Sequence, residues 1–438
     1  MSIELITILM FGSLFLLLGL GLPVAFACGS VVIGFTVLLQ GVPALHLVST
    51  RIFGLMVQYL LAAIPLFIFM ACILERSGII EEVYEMVSQW MSWLKGGVAA
   101  ATVVACTMMA AMVGVIGASE VTMGVIALPQ MLKRKYNKFI ACGSILAGGT
   151  LGILIPPSVM LIVYGLVDNS SIGQLYAGSI LPGLMLSSFF IIYVLIRCYI
   201  NTKLGPPVPK EEQISWRAKF KLLLKIIAPA ILVFLVLGTI FTGIAAPTEA
   251  AGVGAAGAIV LCALQRKLTW KGVVQAGENT LKSTAMVLWT IYGANIFVGL
   301  YIMVGGGKFV TQLLLGSGLS KWGIIIVMQG ILVFLGAFID WVGIIMLCVP
   351  IFGPIIRQLG FDPIWFGVLF AVNLQISFLS PPFGYALFYL KGVAPPEIQT
   401  TDIWRAAAPF IVLQLAGVAM VMVFPEIILI LPKLFFRG

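Results

Sequence analysis

An all-α polytopic membrane protein, an inverted repeat with two re-entrant hairpins and two discontinuous helices, is predicted by three features of the sequence. The first is composition. Of 438 residues, 61% are hydrophobic and 9% charged, with a mean hydropathy of +1.15, and a soluble domain of this size could not cover itself with so few charges. The second is pattern: long continuous apolar runs, where an outer-membrane barrel would alternate apolar and polar residues. The third is a recurring interruption. Adjacent prolines break two apolar runs in similar settings, GTLGILIPPSVML at Gly149–Leu161 and LQISFLSPPFGYA at Leu374–Ala386.

The elements follow in chain order. Runs 4–22, 24–40 and 59–75 read as three spans. The first lacks the basic start of a signal peptide and a second run follows directly, so it counts as a span. Glu81–Leu94 places Val83, Met86, Val87, Trp90 and Leu94 at helical spacing. That suits a helix on the membrane surface and equally a solvated helix packed on the protein. Run 97–132 is too long for one crossing and breaks at Gly114–Gly117, as a hairpin that enters and turns back would. Run 139–168 carries the first Pro-Pro and reads as a discontinuous span; 174–197 is a plain span.

A polar loop occupies 198–220, and the order then repeats. Spans are expected at 221–242, 247–264 and 283–303, a hairpin at 322–356 broken around Gly336–Asp340, a Pro-broken span at 363–390 and a last span at 404–431. Residues 1–197 and 221–438 therefore form two repeats. Tyr136–Tyr164 aligns without gaps on Phe361–Tyr389, with Leu154/Leu379, Pro156/Pro381, Pro157/Pro382 and Tyr164/Tyr389 identical. An odd number of crossings per repeat inverts the second, a common plan of secondary transporters.

Charge supports this layout. With Lys133-Arg134-Lys135 in the cytoplasm, all but six of the 25 Lys and Arg fall on that side. The six are Arg51, Lys308, Lys321, Arg357, Lys433 and Arg437, an asymmetry that obeys the positive-inside rule. The net charge of +9 thus follows topology and points to membrane lipid, with no nucleic acid among the expected partners.

Several functions are excluded. The single histidine, His46, leaves no His-based catalysis or zinc site. The seven cysteines are scattered without a C-x-x-C and read as small buried residues. No phosphate-binding loop is present, and no nucleophile–base constellation indicates an enzyme. The Pro-Pro breaks have a physical purpose instead. Proline removes an N–H and disfavours helix before it. The half-helix ends left behind are tolerable only beside a cavity or inside protein, where they attract ions.

These segments resemble the large membrane subunit, M, of TRAP transporters, the tripartite ATP-independent periplasmic carriers. The resemblance lies in GTLGILIPPSVMLIVYG (149–165), SIGQLYAGSILPGLML (171–186), APTEAAGVGAAGA (246–258), FIDWVGIIMLCVPIFGPII (338–356) and GFDPIWFGVLFAVNLQISFLSPPFGYALF (360–388). It implies an elevator-type carrier of the ion-transporter superfamily in the bacterial inner membrane, coupling sodium entry to uptake of an organic acid. It also implies two partners: a separate small four-span Q subunit and a periplasmic substrate-binding protein. A channel or other non-ATP-driven permease is the alternative. Many members carry S-G-S-S-x-A-T at the first hairpin tip. Here Val113–Ser119 keeps only the Ser119 hydroxyl, so backbone carbonyls would have to serve a cation there.

Candidate sodium ligands are Asp340, Gly114, Ser119, Gly149, Thr150, Gly336, Asn373, Ser377 and Ser380; Asn373 is equally suited to tying down the broken backbone. Asp340 leads them, because an acid deep in an apolar run is costly and usually functional. Candidate substrate contacts are Glu120, Pro156, Gln375 and Pro381, with Glu120 alternatively paired to a lysine. Thr248 and Glu249 suit a helix start, Thr248 as the cap. Asn295 and Tyr301 are as compatible with packing as with a cavity wall, and Met108-Met109 read as core.

Overall fold

The apolar runs fold as helices throughout, because lipid leaves the backbone no other way to pair its N–H and C=O groups. In the computed structural model, which describes residues 1–114, 116–381 and 384–436, twenty α-helices and short 3₁₀ turns account for the ordered elements. Val115, Pro382 and Arg437, named above in the first tip, the second Pro-Pro and the charge count, lie outside the described residues.

The first repeat contains α1 (Ile3–Gly19), α2 (Val24–Gln40), α3 (His46–Met56), α4 (Ala63–Arg76), α5 (Ile79–Trp90), α6 (Gly97–Val113), α7 (Ile116–Lys133), α8 (Lys138–Thr150), α9 (Val159–Asp168) and α10 (Ile172–Ile200). The second contains α11 (Trp216–Phe241), α12 (Pro247–Leu264), α13 (Trp270–Met303), α14 (Gly306–Leu315), α15 (Lys321–Gly336), α16 (Trp341–Leu359), α17 (Pro363–Leu379), α18 (Tyr385–Val393), α19 (Thr400–Val423) and α20 (Glu426–Phe435). The pairs α6/α7 and α15/α16 sit where the hairpins are expected. The Pro-Pro breaks separate α8 from α9 and α17 from α18.

Among the described residues, seven helices are long and apolar enough to cross a bilayer. The interrupted elements are shorter: α9 has 10 residues and α18 has 9, about 15 Å each against a ~30 Å hydrocarbon core. Neither can cross alone.

The two repeats interlock. Helices α2 and α4 pack against α12 and α13, while α7, α8, α9 and α10 pack against α18, α19, α16 and α17. Where helices meet closely, glycine allows it. A Cβ on Gly293 of α13 would lie 2.6 Å from the carbonyl oxygen of Ala25 on α2, the small-residue contact typical of membrane interfaces. All six ion pairs among the described residues join partners that the charge reasoning puts on one side.

One open reading is decided and three local expectations change. Helix α5 packs against α6 and α11 with Val83, Met86 and Val87 buried, so protein covers its apolar face and the membrane surface does not. Helix α12 is capped by Ala246, whose N–H donates to Glu249 Oε2 at 2.9 Å; Thr248 lies inside the first turn. Proline at the first helical position explains the shift, since it leaves the residue before it extended. The last run divides at Pro425 into α19 and α20, because proline supplies no N–H there. Helix α13 starts 13 residues before the expected span, at a cap where Thr269 Oγ1 accepts from the Gly272 N–H at 3.1 Å.

Candidate functional site

Both hairpin tips are shaped by absent side chains. Helix α6 ends at Gly114, with φ +63°, and a Cβ there would overlap the Pro157 carbonyl oxygen of the first broken span. Conformation and space both demand glycine. Helix α15 ends at Gly336, where Ser377 of α17 fills the place a Cβ would take. Asp340 caps α16, its carboxylate accepting from the Gly343 N–H at 3.2 Å.

The two tips meet at one cavity of about 600 Å³. Gly114 and Gly117 come from the first hairpin, Asp340 and Trp341 from the second, Tyr385 and Tyr389 from α18. The facing wall is α4 and α13, with Glu75, Asn279, Lys282 and Ser283. Glu75 accepts from the Thr122 hydroxyl at 3.2 Å. Two carboxylates and one lysine therefore share a mainly apolar wall with Asn279, Ser283, Thr290 and two tyrosines.

Behind the tips lie two buried polar clusters. In the first, Thr150 Oγ1 donates to Gln375 Oε1 at 3.3 Å and accepts from Gln414 Nε2 at 3.2 Å. Glu120 lies against Gly149, whose missing Cβ leaves room for the glutamate's stem. Ser119 Oγ and both Glu120 oxygens are buried without a hydrogen-bond partner among the described residues. In the second, Asn373 Nδ2 donates to Gln329 Oε1 at 2.7 Å and to the Gln329 carbonyl at 3.1 Å. Asn373 Oδ1 and Ser377 Oγ are without partners there. Unmatched oxygens in a buried site cost free energy and are what a hard cation seeks; Gln375 Nε2 in the first cluster and Gln329 Nε2 in the second are unmatched donors beside them.

The expected site residues thus divide. Gly114 and Asp340 line the cavity; Ser119, Gly149 and Thr150 belong to the first cluster, and Gly336, Asn373 and Ser377 to the second. Ser380 caps the end of α17 and its hydroxyl donates to the Ile376 carbonyl at 2.8 Å. Asn373 ties α17 to α15 and leaves the broken backbone alone. The four substrate candidates do not border the cavity. Glu120 and Gln375 are enclosed in the first cluster, Pro156 is buried in the first break and Pro381 is exposed. Glu120 has no lysine partner among the described residues. Tyr301 packs in the core, its hydroxyl 3.1 Å from Thr7 Oγ1, and Met109 is also core.

Glu75, Lys282, Gln329 and Gln414 escaped sequence reasoning. Glu75 carried a legible signal, an acid closing an apolar run. Gln329 and Gln414 are single amides on helices, and only tertiary packing reveals their partners.

Cavity, hairpin tips and broken spans define a multi-pass membrane transport protein, and comparison with known proteins sharpens this. Residues 11–427 match the family described as tripartite ATP-independent periplasmic transporter, DctM component. The chain is 30% identical to the C4-dicarboxylate TRAP transporter large permease protein DctM of Vibrio cholerae, over 94% of this chain and 93% of that one. It is 29% identical to the isethionate TRAP transporter permease protein DctMQ of Oleidesulfovibrio alaskensis, over 98% of this chain and 66% of that one. The YdaH transporter of Alcanivorax borkumensis, a solved structure described as having an unusual topology, superposes with a TM-score of 0.60 at 16% identity, over 94% of this chain and 97% of the other; that likeness concerns the fold alone. The chain belongs to the TRAP transporter large permease family. It is an inner-membrane permease component, and not an enzyme.

Proposed function

We propose that this chain is the permease subunit of a sodium-coupled importer of an organic acid, working by an elevator movement. The observation that carries the reading is the convergence of both hairpin tips, Gly114 and Asp340, on one cavity. Two polar clusters with unmatched oxygens lie directly behind them. Asp340, with Ser377 and the carbonyls near Gly336, would hold one sodium; Ser119 and the carbonyls near Gly149 and Thr150 would hold another. Sodium supplies positive charge that draws the tips together and lets an anion enter a low-dielectric cavity. Packing supports the movement. The hairpins and broken spans form one block and the helices α2, α4, α12 and α13 another, with the cavity between them.

The substrate class comes from the relatives, whose names specify C4-dicarboxylate and isethionate. The partners are a small Q subunit, fused to M in the second relative's name, and a periplasmic binding protein. The test is uptake into proteoliposomes holding this chain, its Q partner and the binding protein. Uptake is expected with a sodium gradient. Equal uptake with potassium or choline in place of sodium, and no proton gradient, would refute the reading.

A further inference from the structure

A second cavity, of about 570 Å³, lies apart from the hairpin tips. Its wall has one charged residue, Arg51 of α3, and five polar ones, Gln58, Asn169, Ser170, Ser171 and Asn295. No Asp or Glu borders it, and Arg51 has no carboxylate partner among the described residues. The arginine is seated. A Cβ on Gly299 of α13 would overlap the guanidinium, with Cζ at 2.5 Å and Nε at 2.7 Å, so the glycine leaves a shelf for the planar group. The opposite wall is the turn between α9 and α10, and that turn is fixed. Arg357 Nη2 donates to the Asp168 carbonyl and carboxylate, both at 2.9 Å, and the Ser170 hydroxyl donates to the same carboxylate. Asp168, the acid of that turn, is thereby paired with its own arginine.

We propose that this cavity is an outer anion site that takes the carboxylate or sulfonate of an organic acid before it reaches the hairpin tips. A guanidinium on a glycine shelf, without a carboxylate partner among the described residues and sharing its wall with the amides of Gln58, Asn169 and Asn295, is suited to a planar carboxylate or to the three-oxygen face of a sulfonate. The placement fits a queue. Three helices border both cavities at successive heights: α13 at Thr290 and then Asn295, α16 at Trp341 and then Met346, α9 at Val159 and then Gly165. Each step is about 7–9 Å at 1.5 Å per residue, the thickness of one packed layer. Arg51, Asp168 and Arg357 all fall on the outer face by the charge reasoning, and Lys282, at the tip cavity, on the inner. The docking role rests on the transport reading above; the anion site itself does not.

The test separates the two. Asn295→Cys puts a thiol on the wall of this cavity; it is made together with Cys72→Ser, because Cys72 borders the tip cavity, and the other six native cysteines are buried. Its labelling is compared for an anionic methanethiosulfonate (ethylsulfonate), a cationic one (ethyltrimethylammonium) and a neutral methyl reagent that reports whether the cavity stays open. With each rate divided by that of the same reagent on a small free thiol, because an anionic thiolate intrinsically favours the cationic reagent, the anionic reagent should react at least fivefold faster than the cationic one, about the factor that ~1 kcal/mol of attraction gives. Arg51→Gln should erase the preference and Arg51→Lys should keep it. Isethionate, used as a probe anion, should slow labelling only where the cation is present. An unchanged anionic-to-cationic ratio in Arg51→Gln overturns the site. In the reconstituted transporter, Arg51→Gln should raise the half-saturating substrate concentration tenfold or more at an unchanged maximal rate; wild-type saturation in that variant overturns the docking role. Loss of sodium dependence in the wild type would instead fail the transport reading and leave the labelling result standing.

Discussion

Asp340→Asn isolates charge at the tip cavity. The wild-type carboxylate caps α16 through Gly343, and asparagine caps a helix about as well as aspartate. The substitution therefore keeps the second hairpin's geometry and removes one negative charge from a wall that has two. A unit charge 4 Å from a cation contributes about 4 kcal/mol at an effective dielectric near 20 and about 1 kcal/mol in water. Asp340 is half-buried, so a loss between these limits is expected, and ~1.4 kcal/mol is a tenfold change in affinity. The sodium concentration giving half-maximal uptake should rise at least about fivefold, the factor of the lower limit. Asp340→Ala should do the same and in addition lose the cap, costing about 1 kcal/mol of stability. The assay is initial uptake against sodium concentration for wild type and both variants, with thermal unfolding in detergent alongside. A wild-type sodium curve in Asp340→Asn would refute the reasoning and leave the cation to backbone and hydroxyl oxygens.

Further tests concern packing around the tips. Gly336→Ala forces a methyl into the space of Ser377 and should cost about 1–3 kcal/mol, as overpacking does; Ser377→Ala in the same chain should recover part of it in thermal unfolding. Gly149→Ala collides with the Glu120 side chain and should destabilise by a similar amount, whereas Gly12→Ala, with open space around it, should not. Asp168→Asn leaves Arg357 without its ion pair. With the aspartate side chain 2% exposed and the arginine 44%, the loss should fall between a surface pair and a fully buried one, about 1–3 kcal/mol, and the double variant with Arg357→Gln should be less than additive.

The order of elements was legible because membrane constraints are strict. Run length, Pro-Pro breaks and Gly114 or Gly336 within apolar segments each have few structural solutions. Asp340 was legible because an acid in an apolar run is rare. Partnerships were not. Nothing in the spacing says that Thr150 meets Gln375 and Gln414, since three separate helices bring them together. The same limit explains Glu120: its position near the tip is evident, but whether it faces the cavity or Gly149 depends on the rotation of α7. The Ala246 cap was missed because a threonine beside a glutamate is the commoner signal, and the proline before it shifted the register by two residues.

Helix α13, with 34 residues, is about 51 Å long at 1.5 Å per residue, and a bilayer core is ~30 Å thick. It borders both cavities and packs against the helices of the first repeat. A helix so much longer than the bilayer must tilt or protrude, and its exposed start, with Trp270, Lys271 and Glu278, indicates that much of the excess stands in the cytoplasm. Its depth is therefore set by hydrophobic matching as well as by protein contacts. Thicker or thinner lipid would slide this wall relative to the hairpin block it faces. If the block moves as proposed, acyl-chain length becomes a setting of the machine, read as uptake in vesicles of different lipid thickness.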